Sequence, residues 1–334
     1  MTLDLIIVGA GPIGLAAACA AQDAGLNFLI LDKAGPCQSL VEYAPRQSFY
    51  SPASELEVGG IPFPMAADEK PRREDALAYY RAVITSRKLP LQTWERVQSV
   101  HKDGEMFTVQ TVQQPDEAWT KTYSARFIMI VSGVWDQPRS LDIPGVSLHK
   151  VSTHYLDPTP FLNKDCLTLG GGNSAVEVAM SLARAGAKSR LALIESSFDV
   201  CNLRPFVLRE LLILVEEQKI KVFFETEATE ITPTEVCLKS RADGSFQSIP
   251  NDFVFILIGQ NPDIPFLENA GVAINPSDQR PVYDPDFETG VPGLYVAGSI
   301  ARDQHIVNGR PNAVGIVERI TERLRRQKDK ATER

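Results

Sequence analysis

A glycine-rich turn close to the start of the chain has the residue types and spacing needed to bind a diphosphate. Residues 9–14 read Gly-Ala-Gly-Pro-Ile-Gly and follow an apolar run at residues 5–8. In such a G-x-G-x-x-G turn the first glycine permits a tight bend, the second lets a pyrophosphate approach the backbone, and the third allows close helix packing. Backbone N–H groups at the start of the following helix attract phosphate. The residues predicted to form this site are Gly9, Gly11, Pro12, Ile13 and Gly14.

An acidic residue follows at the end of the next predicted strand. Asp32 stands directly after the apolar run at residues 28–31, where dinucleotide-binding units carry a carboxylate that accepts a hydrogen bond from a ribose hydroxyl. Strand, glycines, helix and acid together are far more specific than the glycines alone. They predict an adenine dinucleotide bound by the N-terminal part of the chain.

A second glycine motif, Gly-Gly-Gly-Asn-Ser-Ala at residues 170–175, again follows an apolar run, and the next strand ends at Glu195. A carboxylate there accepts hydrogen bonds from a free 2′-hydroxyl and repels a 2′-phosphate, so it favours NADH over NADPH and is also compatible with a second FAD. Arg204 and Arg209 in the following loop are the alternative partners for a 2′-phosphate. The residues predicted for this second site are Gly170, Gly172, Asn173, Ser174 and Glu195.

The two motifs belong to a repeated architecture. Five short apolar runs end in glycine, as expected of parallel strands whose carboxyl ends face a ligand. These runs are residues 5–11, 127–133, 166–172, 253–259 and 294–299. Alternating segments at residues 95–123 and 221–249 predict small antiparallel sheets. We predict an α/β fold with two Rossmann-like, three-layer (ββα) dinucleotide-binding domains, the second (residues 151–259) inserted into the first (residues 1–150 and 260–334).

Composition and charge narrow the function classes. The chain has 34 Lys and Arg against 42 Asp and Glu, a net charge of −8, which disfavours a nucleic-acid partner because phosphate binding needs a basic surface. Five irregularly spaced cysteines indicate a reducing compartment, so we expect a cytoplasmic protein. The apolar run at residues 5–21 follows Asp4 and is interrupted by glycine and proline, so it predicts a strand and helix rather than a membrane span.

Taken together, these motifs resemble those of the low-molecular-weight thioredoxin reductase type of flavoprotein. The shared segments are GAGPIG with Asp32, VSG at residues 131–133, GGGNSAVE at 170–177, IGQNPD at 258–263 and VPGLYVAGS at 291–299. Within that type, PRQSFYS at 45–51, LAYYR at 77–81, THYLDP at 153–158, LRPFVL at 203–208 and VNGR at 307–310 are similar to the bacillithiol-disulfide reductase-like (YpdA-type) group. The resemblance covers nearly the whole chain.

The resemblance implies FAD in the first domain, NAD(P)H in the inserted one, and a homodimer. Carried over by position, Val97 would contact the adenine through its backbone, while Ile306 and Val307 would face the flavin pyrimidine. Further FAD positions implied in this way are Lys33, Gln47, Ser132, Gly133, Gly298 and Ser299, and Gly259 is the corresponding strand-end glycine of the inserted domain.

Four positions depart from the family pattern. No two cysteines lie within three residues of each other, so the C-x-x-C pair of thioredoxin reductases is missing. Ile13 stands where the bacillithiol-type proteins usually carry cysteine, and Glu195 where they usually carry arginine. Ser299 replaces the aspartate that commonly follows the last strand-end glycine. The missing C-x-x-C pair and Ile13 concern the expected disulfide chemistry, and Glu195 concerns the expected use of NADPH.

Two side chains are candidates for catalysis. Cys37, in the loop after Asp32, is the cysteine expected to be exposed near a cofactor, and a thiol reacts when its pKa is lowered. His305, just before the predicted last helix, is the candidate proton donor to reduced flavin or a thiolate, although hydrogen bonding at the helix start explains it equally well. We predict no metal site.

These observations predict an FAD-dependent oxidoreductase that passes electrons from NAD(P)H, with NADH favoured, to a disulfide or another small-molecule or protein redox acceptor. One alternative is a flavin electron-transfer protein whose second site holds a permanent nucleotide or second FAD, and which a protein such as ferredoxin reduces. A flavin monooxygenase is less well supported, because no F-x-G-x-x-x-H segment lies between the glycine motifs.

Overall fold

The computed structural model describes residues 2–201, 203–303 and 305–332, and the chain divides into two compact units. Unit 1 comprises Met1–Gln137 and Asn261–Arg334, and unit 2 is Pro138–Gln260, so one unit is inserted into the other as predicted. The first boundary precedes the predicted position at residue 150. The segment between them belongs to unit 2 because its apolar side chains pack against that unit's core: Leu141, Ile143, Val146 and Leu148.

The first segment of unit 1 alternates strands and helices. Its elements are β1 (Leu3–Val8), α1 (Pro12–Asp23), β2 (Phe28–Leu31), α2 (Gln38–Val41), α3 (Ala53–Leu56), α4 (Arg73–Arg87), β3 (Leu91–Gln92), β4 (Glu95–Asp103), β5 (Met106–Gln113) and β6 (Thr120–Ile130). Their order in the sheet is β3-β2-β1-β6-β5-β4. The carboxyl half of β6 pairs in parallel with β1, and its amino half pairs antiparallel with β5. The antiparallel sheet predicted at residues 95–123 is therefore confirmed.

Residues 5–8 of strand β1 are buried on both faces, which explains their uninterrupted apolar sequence. Leu5 and Ile7 join the core that contains the helices, whereas Ile6 and Val8 join the core on the opposite face. Helix α1 then begins at Pro12, where the missing N–H costs no hydrogen bond, and its C-terminal turn continues into Gly25 at a φ of +70°. This short strand–turn–helix unit fixes the position of the first glycine motif.

Unit 2 repeats the plan. Its elements are β7 (Val151–Ser152), β8 (Asp165–Leu169), α5 (Asn173–Arg184), β9 (Lys188–Ala192), α6 (Pro205–Glu216), β10 (Ile220–Phe223), β11 (Thr226–Ile231), β12 (Glu235–Ser240), β13 (Phe246–Pro250) and β14 (Phe253–Ile256). A parallel sheet has the order β10-β9-β8-β14-β7, and β11, β12 and β13 form an antiparallel sheet. The predicted antiparallel segment at residues 221–249 is wrong at its start, because β10 pairs in parallel with β9.

The last segment returns to unit 1. Its elements are α7 (Ile264–Asn269), β15 (Ile274–Asn275), β16 (Arg280–Pro281), β17 (Leu294–Val296) and α8 (Ile306–Thr332). Strand β17 adds in parallel to the carboxyl half of β6, and Ala313, Ile316 and Ile320 of α8 are buried in the core shared with α1. Within the described residues, no helix has the length and apolar character to cross a bilayer.

Candidate functional site

The first glycine turn is built as the sequence predicts. Gly9 has a φ of +116°, and a Cβ there would lie 2.6 Å from the carbonyl oxygen of Val131. A Cβ on Gly14 would overlap the Gly9 carbonyl oxygen. At Gly11, by contrast, a Cβ would meet no atom within 4 Å, and no side chain caps the start of α1. The turn therefore leaves open space in front of a helix N-terminus, which is what a diphosphate requires.

Asp32 is already oriented toward this turn. Its Oδ2 atom accepts a hydrogen bond from the N–H of Ala10 at 2.6 Å, and its Oδ1 atom accepts one from the N–H of Ala34 at 2.9 Å. Burial raises the pKa of the carboxyl, while these two hydrogen bonds oppose that shift. Each carboxylate oxygen can accept more than one hydrogen bond, so ribose hydroxyls can still bind.

The carboxyl ends of three strands bring further predicted positions beside the turn. A Cβ on Gly9 would lie 3.1 Å from the Cα of Ser132, and one on Gly133 would lie 3.7 Å from the Ser299 Oγ. The Ile13 Cδ1 atom would be 2.9 Å from a Cβ on Gly298. It also fills the space beside Gly309 of α8, a neighbour that the sequence did not indicate. These residues form one continuous edge, at which the apolar Ile13 side chain packs between two glycines.

The other predicted FAD positions lie in different parts of unit 1. Lys33 forms an ion pair with Asp136, and Val97 is buried in the core on the antiparallel side of unit 1. The described contacts of Gln47 lie elsewhere: its Oε1 accepts from the Ala44 N–H and its carbonyl oxygen from the Arg73 N–H. Helix α8 begins at Ile306, which packs against the helical core, and Val307 is half-buried. Their roles toward FAD stay predictions.

A buried donor also lies near the first site. The indole N–H of Trp135, two residues after Gly133, is inaccessible to solvent and has no hydrogen-bond partner among the described residues. Its ring lies against Tyr43, with centroids 4.9 Å apart. Because buried N–H groups in proteins are nearly always satisfied, this donor is consistent with a polar ligand group in unit 1.

The second glycine turn has the same construction. Gly170 has a φ of +132°, and a Cβ there would overlap the Leu257 carbonyl oxygen. Among the described residues, a Cβ on Gly172 would meet no atom within 4 Å and no side chain caps α5, which begins at Asn173. The Oδ1 atom of Asn173 accepts a hydrogen bond from the N–H of Arg204 at 3.0 Å. Ser174 is exposed on the first turn of the helix.

Glu195 faces this second turn. Its Oε2 atom would lie 2.7 Å from a Cβ on Gly171, so a larger residue there would displace the carboxylate. The same oxygen is buried and has no hydrogen-bond partner among the described residues. The thiol of Cys201 lies at the same place, and burial and the Glu195 carboxylate raise its pKa. Gly259 follows β14, where its carbonyl oxygen accepts from the Arg139 N–H at 2.9 Å.

The predicted exposure of Cys37 is wrong. The residue is only 2% exposed, because its N–H donates to the Ala10 carbonyl oxygen at 3.0 Å and its side chain turns into the helical core. Burial and the nearby Asp32 raise the pKa of the thiol, which disfavours the reactive thiolate. A catalytic role for Cys37 stays a prediction that this geometry does not support.

His305 lies just before α8, and two further cysteines lie in the core. His305 is exposed, and its carbonyl oxygen accepts hydrogen bonds from the N–H groups of Asn308 and Gly309 at the start of α8. Cys19 and Cys166 are buried core residues. In the part of the chain that the structure describes, no three His, Cys, Asp or Glu residues are grouped to bind a metal. The predicted proton transfer by His305 stays a prediction.

The profile of the family described as pyridine nucleotide-disulphide oxidoreductase matches residues 6–298. The chain belongs to this family. The match spans both glycine turns, so the resemblance derived from the motifs is confirmed. Members of the family carry FAD and use NAD(P)H, and this chain is accordingly an FAD-dependent NAD(P)H oxidoreductase of the disulfide reductase type. Both open turns, the Trp135 donor and the Glu195 acceptor fit two dinucleotides.

Three relatives within the family are similar over nearly their whole length. The chain is 32% identical to bacilliredoxin reductase Bdr of Bacillus subtilis, over 95% of this chain and 97% of the relative. The bacillithiol disulfide reductase Bdr (YpdA) of Bacillus cereus superposes with a TM-score of 0.92 at 33% identity, covering 97% and 100% of the two chains. The enzyme of the same name from Staphylococcus aureus superposes with a TM-score of 0.88 at 30% identity, covering 97% of this chain and 99% of that one.

Proposed function

We propose that this oxidoreductase draws its electrons from NADH in preference to NADPH and delivers them, through FAD, to a low-molecular-weight disulfide. The choice of acceptor follows the names of its relatives, which act on bacilliredoxin or bacillithiol disulfide. The choice of NADH depends on one observation of this chain, the buried Oε2 atom of Glu195 beside Gly171, which has no hydrogen-bond partner among the residues that the structure describes.

The carboxylate of Glu195 needs donors that a ribose supplies. A buried acceptor without a partner is costly, and the hydroxyls of an adenosine ribose would satisfy it. A 2′-phosphate would instead bring negative charge against the carboxylate in a poorly solvated place. Gly172 and the N-terminus of α5 would hold the diphosphate, and Asn173, bonded to the Arg204 N–H, would fix the loop that closes the site.

In unit 1, the described residues have the corresponding roles. Asp32 would orient the adenosine ribose, Gly11 would admit the diphosphate, and Ile13 would present an apolar surface at the strand ends. FAD held by these residues would supply the hydride-accepting chemistry that links the nicotinamide to the acceptor. Because the sequence has no C-x-x-C pair, the chain supplies no neighbouring dithiol to relay those electrons.

Anaerobic stopped-flow reduction tests the proposal. We expect NADH to bleach the flavin at lower concentration than NADPH by roughly tenfold or more, the equivalent of about 1.4 kcal/mol. Glu195→Arg should shift the preference toward NADPH, whereas Glu210→Gln, which removes an exposed carboxylate of α6, should not. Equal or better reduction of the unsubstituted protein by NADPH would contradict the proposal.

The acceptor and the number of flavins are tested separately. We expect one FAD per chain and turnover with oxidised low-molecular-weight thiols. Two flavins per chain, with reduction by ferredoxin and not by NADH, would instead identify the electron-transfer protein considered above. Following the resemblance alone, we further propose a cytoplasmic homodimer, for which light scattering of the purified protein measures the mass.

A further inference from the structure

Unit 1 presents an aromatic side chain to solvent beside the ribose-binding carboxylate. Trp94 is 52% exposed, although large aromatic side chains usually gain stability by burial. We propose that Trp94 is the platform on which the adenine of the dinucleotide in unit 1 stacks. The proposal rests on FAD binding by unit 1 and is independent of the nicotinamide preference of unit 2.

The backbone holds Trp94 in an unusual conformation. Its φ of +57° lies in the left-handed region, which residues other than glycine, asparagine and aspartate rarely adopt. The N–H of Trp94 donates to the Ala34 carbonyl oxygen at 3.2 Å, and its own carbonyl oxygen accepts from the Gln114 N–H at 2.8 Å. The backbone of Trp94 is therefore held on both sides, while the residue remains about half exposed. Such a strained position is maintained where the surrounding structure requires it.

The same segment is bonded directly to Asp32. The N–H of Asp32 donates to the Gln92 carbonyl oxygen, and the N–H of Glu95 donates to the Asp32 carbonyl oxygen, both at 2.9 Å. The Trp94 backbone thus lies between two residues that flank the ribose site. An adenosine held by Asp32 carries its phosphates toward Gly11 and its base on the opposite side of the sugar. The base would then extend away from the glycine turn, and we place it against the segment at residues 92–95 because that segment is bonded to Asp32.

The chemistry of an indole suits this position. Every purine offers a π-face, and stacking on an exposed tryptophan binds a base without buried polar partners. The other exposed tryptophan of the hairpin region, Trp119, is 37% exposed, and the Nζ of Lys121 lies 4.1 Å from the centroid of its ring. Trp119 is therefore a matched control, since it is a surface tryptophan of the same unit with a cation over its ring.

Titration of flavin-free protein with FAD and with ADP tests the proposal. We expect Trp94→Ala to weaken the binding of both ligands by roughly tenfold, about 1.4 kcal/mol, because the stacking of the base is lost. Trp94→Phe should retain most of the affinity, and Trp119→Ala should bind as the unsubstituted protein does. ADP should also quench part of the tryptophan fluorescence, and Trp94→Phe should abolish that part.

Two outcomes would overturn the proposal. One is an unchanged affinity of Trp94→Ala for both ligands. The other is an equal loss in Trp94→Ala and Trp94→Phe, which would assign the effect to the strained backbone instead of the ring. Thermal unfolding of the flavin-free variants separates a loss of binding from a loss of fold, and because Trp94→Phe keeps an aromatic ring it remains informative if Trp94→Ala does not fold. The Glu195 variants test the nicotinamide preference of unit 2, so failure of the NADH proposal is distinguishable from failure of the Trp94 proposal.

Discussion

Cys37 directly precedes the short helix α2, and its thiol is directed at the Ala10 carbonyl oxygen, 3.6 Å away. The position is next to the first glycine turn, where a reactive thiol would be useful, yet nearly every surface of the side chain is covered. A thiolate at this place would lose its hydration and lie near Asp32, and both effects raise the thiol pKa. Proximity to a cofactor site therefore does not make this sulfur nucleophilic.

We expect Cys37 in the native protein to resist alkylation by iodoacetamide at neutral pH, because a raised pKa keeps the thiol protonated there. Mass spectrometry of the native and the urea-unfolded protein measures this directly, with all five cysteines reacting once the chain is unfolded. The variant Cys37→Ala should keep NADH-dependent turnover. Rapid labelling of Cys37 in the folded protein, or loss of turnover in the variant at unchanged stability, would restore it as a catalytic thiol.

In the first strand–turn–helix unit, Gly11 and Gly14 have different structural roles although they belong to the same glycine motif. Gly14→Ala should destabilise unit 1 by about 1–3 kcal/mol, since its Cβ would overlap the Gly9 carbonyl oxygen. Gly11→Ala should leave the fold intact, because its φ is −72° and its Cβ meets no atom, but it should release FAD. Thermal unfolding and bound-flavin absorbance distinguish the two variants. A stable Gly11→Ala protein that keeps its flavin would contradict the assignment.

The corresponding change in unit 2 is the matched control. Gly172 is equally open, so Gly172→Ala should retain FAD and stability while the concentration of NADH needed to reduce the flavin rises. Loss of FAD from this variant would mean that the two turns do not hold separate nucleotides.

Sequence periodicity predicted these elements because each is determined locally. The glycine turns, each followed directly by a helix, and the antiparallel hairpins all follow from neighbouring residues. The errors arise where contacts with residues distant in the sequence determine the structure. Residues 138–150 contain no compositional break, and only their packing against the core of unit 2 assigns them to it. Likewise, the burial of Cys37 depends on the helical core around it.

The whole molecule is a chain in which one unit interrupts the other at a single place. Gln137 and Asn261, the residues of unit 1 that flank the insertion, are joined by a hydrogen bond from the Asn261 N–H to the Gln137 carbonyl oxygen at 2.9 Å. Within unit 2, Pro138 and Gln260 form an antiparallel bridge of their own. Adjacent ends are what permit a domain to be inserted without disturbing its host, and closing a short loop between them costs little entropy.

We therefore expect unit 1 to fold when residues 138–260 are replaced by two glycines. The shortened protein should retain β17 beside β6 and α8 on α1, because both contacts are internal to unit 1, and it should unfold cooperatively and bind FAD. Dithionite should reduce its flavin, whereas NADH should not, since Glu195 and the second glycine turn are gone. Circular dichroism, FAD stoichiometry and anaerobic absorbance measure these three properties. A shortened protein that folds but no longer binds FAD would show that unit 1 does not hold the flavin by itself, and one that NADH still reduces would place the nicotinamide site outside unit 2.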